Sequence, residues 1–84
     1  MKKFILREKL EEFIGLLKSG EIEVYNEFSF QHELGYFLRN QLKHYPGDFK
    51  IQFENQNEVV DYLLNNDLQN TAGELQKSEY VYVN

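Results

Sequence analysis

The sequence predicts a small α+β domain spanning residues 1–84, with two longer helices and one short helix packed on a two- or three-stranded antiparallel sheet. Three observations lead to this fold class. Large apolar residues recur at helical spacing in Tyr25–Lys43, apolar and polar residues alternate in Phe49–Glu54, and Glu79–Val83 is rich in strand-forming residues. A chain of 84 residues has the length of one domain, and no linker or repeat divides it.

The longest predicted helix is Tyr25–Lys43. Its apolar face, at spacings i, i+4, i+7, i+8 and i+12, consists of Phe30, Leu34, Phe37, Leu38 and Leu42. Asn26 and Ser29 are both candidate N-caps, because a short polar side chain accepts hydrogen bonds from the first free backbone amides. Gly35 lies inside the helix, where glycine costs about 1 kcal/mol relative to alanine. We therefore expect another segment of backbone to approach Gly35 closely.

A first helix is predicted at Phe4–Ser19. Its apolar face consists of Leu6, Leu10, Phe13, Ile14 and Leu17. Gly20 is a suitable end for this helix, because glycine adopts the left-handed conformation without steric cost. The following segment, Glu21–Tyr25, alternates polar and apolar residues. It is either a short strand or an extended linker into the longest helix.

The second half of the chain is predicted to supply the sheet. A Pro-Gly turn at residues 46–47 separates the longest helix from a strand at Phe49–Glu54. A short helix is expected after Asn55–Asn57 and extends to about Asn66. The last segment, Glu79–Val83, is predicted to pair with the strand at Phe49–Glu54.

Composition and charge limit the function. The chain has no cysteine, which excludes disulfides, thiolate nucleophiles and cysteine zinc sites. With no apolar run of membrane-spanning length, a cytoplasmic location away from membranes is expected. The net charge is −5, and residues 19–84 carry eleven acidic side chains against four basic ones. Such a chain repels phosphate backbones, so we expect a protein partner with a basic surface rather than direct nucleic-acid binding.

No catalytic residue, metal site or cofactor is predicted. His32 and His44 are twelve residues apart, whereas a zinc-binding helix has two histidines four residues apart. Ser29 is better explained as a helix cap than as a nucleophile. The glycines form no phosphate-binding loop.

The predicted partner-binding residues combine acidic side chains, which speed association with a basic surface, and tyrosines, which serve as buried anchors. They are Glu54, Glu58, Asp61, Tyr62, Asp67, Glu74, Glu79, Tyr80 and Tyr82. A solvated acidic face that serves only solubility is the competing interpretation. Phe28 and Tyr36 fall away from the apolar helix face and are expected on the surface. Dimerisation through exposed aromatic residues or the C-terminal edge strand stays open.

Residues 20–54 resemble the N-terminal part of bacterial PD-(D/E)XK nuclease-like proteins. The similarity rests on Tyr25–Ser29, on the QHELG run at Gln31–Gly35, on Phe37–Arg39, and on Ile51–Glu54, which is similar to the first core strand of that group. The resemblance implies that Glu33 is a supporting glutamate of the nuclease site. It does not extend to the catalytic half, since Asp61 lies in a predicted helix.

A pair of charged residues near the C terminus also departs from the nuclease pattern. Glu74 and Lys77 have one intervening residue too many for the Glu-x-Lys motif of that superfamily. The sequence therefore supports a non-enzymatic interaction protein. In size and charge it is similar to phage and mobile-element anti-defence proteins, including anti-CRISPR proteins, and to toxin-neutralising immunity proteins. The alternative is a catalytically incomplete nuclease remnant, or a subunit that works with a partner chain.

Overall fold

The computed structural model describes residues 4–54, 75, 77 and 79–84. These residues form an α+β unit whose elements are α1 (Leu6–Ser19), α2 (Glu27–Leu42), β1 (Ile51–Phe53) and β2 (Val81–Val83). The helix α2 packs against both α1 and β1. The predicted fold class is thus confirmed for this part of the chain, while the short helix predicted to extend to Asn66 lies outside the described residues.

The first helix begins at Leu6, two residues after the predicted Phe4, and ends at the predicted Ser19. It buries Leu10, Phe13 and Ile14, while Leu6 and Leu17 are partly buried against the core. Gly20 has a φ of 84°, and its N–H donates to carbonyls of the last turn. This left-handed cap ends α1 as the sequence predicted, because glycine has no Cβ to resist positive φ.

Residues 21–25 form no strand, so the extended linker is the correct alternative for this segment. The N–H groups of Glu21 and Ile22 both donate to the carbonyl of Leu16, at 3.1 and 3.3 Å. These bonds tie the start of the linker to the end of α1. The chain then enters α2 directly.

The second helix begins at a capping box made by the two predicted cap residues together. Asn26 Oδ1 accepts from the Ser29 N–H at 2.9 Å, and Ser29 Oγ accepts from the Asn26 N–H at 3.0 Å. Phe30, Leu34, Leu38 and Leu42 are buried as predicted. Phe37 is only half-buried and lies at the margin of this face, with its ring 5.6 Å from that of Phe13.

The two strands pair antiparallel, with Ile51 opposite Val83 and Phe53 opposite Val81. Backbone hydrogen bonds of 2.8 and 2.9 Å between Lys50 and Asn84 extend the ladder by one position. The pairing predicted from the sequence is therefore confirmed, although each strand has three residues and is shorter than expected. The buried cluster consists of Leu10, Phe13, Ile14, Phe30, Leu34, Leu38, Leu75, Tyr80 and Val81.

Gly35 faces a side chain rather than the close backbone segment that the sequence led us to expect. A Cβ on Gly35 would lie 3.5 Å from the Phe53 ring, which is ordinary van der Waals contact. A Cβ on Gly15 in α1 would meet no atom within 4 Å. Both helix positions therefore have room for a methyl group.

We expect Gly15→Ala and Gly35→Ala each to raise the free energy of unfolding by up to about 1 kcal/mol, through higher helix propensity. Urea unfolding measures the change. Gly20→Ala is the matched control and should lower stability, because its φ of 84° is strained for alanine. A fall of more than about 1 kcal/mol in the free energy of unfolding of Gly35→Ala would contradict this prediction. It would show that a clash with Phe53 outweighs the gain from helix propensity.

Candidate functional site

Three of the predicted partner-binding residues meet at one end of the strand pair. The Tyr82 hydroxyl donates to Glu79 Oε2 at 3.0 Å, and the Glu54 N–H donates to the Tyr80 carbonyl at 2.8 Å. Partial burial of the ring, the hydrogen bond to Glu79, and the charges of Glu79 and Glu54 raise the pKa of Tyr82. Glu54 and Glu79 are exposed and Tyr82 is half-buried. We call Glu54, Glu79 and Tyr82 the acidic cluster.

The other predicted acidic contacts and one predicted tyrosine contact lie outside the described residues. They are Glu58, Asp61, Tyr62, Asp67 and Glu74. Their role as partner contacts stays a prediction.

Tyr80 is a core residue and not a surface anchor. Its side chain is 0% exposed and packs at ring-centroid distances of 6.0 Å from Phe30 and 5.6 Å from Phe53. Glu79 has a φ of 57°, so the chain is not extended there and the alternation of β2 does not continue back to Tyr80. This turn directs the Tyr80 ring into the core. The EYVYV pattern does not reveal it, because regular strand alternation would place Tyr80 and Val81 on opposite faces.

The Tyr80 hydroxyl is also buried, and it has no hydrogen-bond partner among the described residues. Burial, with a smaller contribution from the negative charge of Glu27, raises the pKa of Tyr80 to about 12. The phenol is therefore neutral at physiological pH. It contributes to packing and not to recognition.

The outer side of α2 carries large side chains in solvent. Phe28 is 87% exposed and Tyr36 is 64% exposed, as the sequence predicted for both. The exposed His32 lies between them, so that Phe28, His32 and Tyr36 follow at i, i+4 and i+8 and share one side of the helix. We call these three residues the exposed row.

A further aromatic residue precedes the helix and was not singled out from the sequence. Tyr25 is 78% exposed, and its hydroxyl donates a hydrogen bond to the Glu23 carboxylate. This bond, together with the charge of Glu23, raises the pKa of Tyr25. The N-terminal end of α2 therefore presents exposed rings beside carboxylates, since Glu27 is the first residue of the helix.

Glu33, the residue implied by the nuclease resemblance, is half-buried on α2. Within residues 4–54 and the described C-terminal positions, no group of three or more His, Cys, Asp or Glu side chains is arranged to hold a metal ion. The catalytically incomplete nuclease remains a prediction that rests on the resemblance alone.

A groove lies at the C-terminal end of α2, and it was not predicted from the sequence. The groove has a volume of about 640 Å³, and three basic side chains line it: Arg39, Lys43 and Lys50. All three residues are exposed, and none forms an ion pair with a described carboxylate. The only sequence signal was that these are the only three lysines or arginines between residues 19 and 54.

The course of β1 separates the groove from the acidic cluster. Ile51 lines the groove together with Leu42, near the end of α2, whereas Phe53 packs over Gly35 in the middle of that helix. The strand therefore runs back along α2, and Glu54 follows it on the side away from the groove. The cations of the groove and the carboxylates of the acidic cluster thus lie toward opposite ends of α2.

Among the residues that the structure describes, no helix has the length and apolar character needed to cross a membrane. Comparison of the chain with protein-family models, with curated proteins and with solved structures found no match. The nuclease resemblance and the similarity to anti-defence proteins therefore stay predictions.

Proposed function

We propose that this protein is a non-enzymatic inhibitor that docks on a basic surface of a nucleic-acid-handling enzyme, such as a CRISPR effector nuclease. The observation that carries the proposal is the exposure of Phe28 and Tyr36 on one side of a well-capped helix. A partner protein is the ligand that such a surface fits best.

The exposed row has the properties of an interface anchor. Burying a phenylalanine side chain is favourable by about 1.5–3 kcal/mol. Since Phe28 is exposed in the described structure, a partner that covers it would gain this free energy on binding. Tyrosine and other aromatic side chains are enriched among the residues that dominate binding energy. Because the helix already fixes the backbone at Phe28 and Tyr36, a partner that covers them restricts only their side-chain rotamers.

The charges around the N-terminal end of α2 favour a basic partner. Glu23 bonds the exposed Tyr25, Glu27 opens the helix, and the acidic cluster adds Glu54 and Glu79. Carboxylates at the margin of an interface mainly raise the association rate with a positive surface. Enzymes that bind DNA or RNA carry such positive surfaces, so occupying one would block the nucleic acid.

The proposal is tested by retaining proteins from an extract of the native host on the immobilised chain. Each retained nucleic-acid-handling enzyme is then purified and its cleavage activity is titrated with the chain. We expect inhibition by the wild type, and at least about 30-fold weaker inhibition by Phe28→Ala/Tyr36→Ala, which corresponds to about 2 kcal/mol for a dominant anchor.

Two control variants make the result specific. Ile5→Ala shortens another exposed apolar side chain and should inhibit like the wild type. Glu54→Lys should slow association at low salt, whereas Glu8→Lys, the same charge change in α1, should not. Inhibition that survives Phe28→Ala/Tyr36→Ala, or retained enzymes whose activity the chain leaves unchanged, would contradict the proposal.

A further inference from the structure

The basic groove is an electrostatic exception in this protein. The chain has a net charge of −5, yet the groove is lined by Arg39, Lys43 and Lys50 against a single carboxylate, Asp48. None of the three cations forms an ion pair with a described carboxylate. An anion in the groove would therefore meet three cations without displacing a described ion pair.

The helix dipole accounts for only part of this arrangement. Arg39 lies in the last turn of α2 and Lys43 is its C-cap residue, where positive charge is favourable. Lys50 belongs to the segment before β1, so the helix terminus does not account for the positive charge that it adds to the groove.

The walls of the groove are partly apolar. Leu42 is buried and Phe49 is half-buried, and both line the groove together with the cations. A volume of about 640 Å³ is within the range of small-molecule sites, which combine apolar walls with a few polar groups. From these features we infer that the groove binds a small organic phosphate, with the phosphate held by Arg39, Lys43 and Lys50 and a planar ring resting on the Phe49 side.

The ligand class follows from charge and size. Arginine and lysine are the usual partners of phosphate oxygens, arginine through two parallel hydrogen bonds. A long nucleic-acid strand would extend from the groove past the acidic residues and be repelled by them. A nucleoside monophosphate places one phosphate and one ring in the groove and avoids this repulsion.

The test is a titration of the intact protein with adenosine monophosphate, followed by amide chemical shifts in NMR spectra. We expect saturable shifts confined to residues 39–52, with a Kd of about 1 mM or below. Inorganic phosphate, which lacks the ring, should bind about tenfold more weakly, since tenfold corresponds to a small apolar contact. Lys43→Gln/Lys50→Gln should weaken nucleotide binding about tenfold, through lost charge-assisted hydrogen bonds.

The control is Arg7→Gln/Lys18→Gln, which removes the same charge from exposed positions of α1 and should bind like the wild type. Shifts that do not saturate, or equal weakening in both double variants, would overturn the site in favour of general charge attraction. Equal affinity for phosphate and nucleotide would overturn the role of the apolar wall. Tighter binding of a single-stranded oligonucleotide than of the nucleotide would overturn the restriction to a small ligand.

Discussion

Phe30→Ala is expected to lower the free energy of unfolding by about 3–5 kcal/mol, the range for loss of a buried aromatic ring. Phe30 is fully buried, with its ring 5.7 Å from that of Phe13 and 6.0 Å from that of Tyr80. The ring joins α1, α2 and the segment before β2, so its removal leaves a cavity that no single element can close. An 84-residue domain has a total stability of only about 4–12 kcal/mol, so the variant loses about a quarter or more of it and should unfold at a clearly lower urea concentration than the wild type.

Phe28→Ala is the matched control for this prediction. It makes the same chemical change two positions earlier in the same helix, but at a ring that is 87% exposed. Its stability should change by less than about 0.5 kcal/mol, as is usual for surface positions. Urea unfolding of both variants measures the contrast. Similar losses in the two variants would mean that the buried and exposed faces of α2 have been assigned incorrectly.

The helices and their faces were predictable because their signals are local. The spacing of Leu10, Phe13 and Ile14, and that of Phe30, Leu34 and Leu38, allows only one buried side for each helix. The cap residues Asn26 and Gly20 were recognisable for the same reason. Each of these features depends on residues within about four positions along the chain, so the sequence alone is enough to recognise it.

Tyr80 and the groove were not predictable, because their surroundings come from distant parts of the chain. Tyr80 is enclosed by Phe30 and Phe53. Lys50 faces the end of α2 only because the turn at residues 46–47 reverses the chain, with Gly47 at a φ of 111°. Neither the Tyr-Val alternation near the C terminus nor the overall negative charge contains this information.

The charge separation changes how the acidic composition is interpreted. A uniform charge of −5 would suggest a single type of partner. The described structure instead places the carboxylates of the acidic cluster and the cations of the groove at opposite ends of α2. Under the two proposals, the protein meets a basic surface at one end and binds a phosphate at the other, which is the combination found where an enzyme holds nucleic acid.

Two substitutions of Tyr80 are expected to change the free energy of unfolding in opposite directions. Tyr80→Ala removes a fully buried ring and should lower the free energy of unfolding by about 3–5 kcal/mol. Tyr80→Phe keeps the ring and removes a buried hydroxyl that has no described partner, so it should raise stability by about 1 kcal/mol. Tyr82→Phe is the control, because that hydroxyl bonds Glu79 near the surface, and its effect should lie within about 0.5 kcal/mol of zero.

The difference between wild type and Tyr80→Phe should also depend on pH. The pKa of Tyr80 is about 12 in the folded protein, against an ordinary value of 10.0. Between these values the unfolded phenol loses its proton while the folded phenol keeps it, so wild-type stability is full below pH 10 and falls as pH rises toward 12. Tyr80→Phe has no such proton to lose, and its advantage in urea unfolding should widen over the same range. An advantage that stays constant from neutral pH to pH 11 would mean that water reaches the Tyr80 hydroxyl in the folded protein.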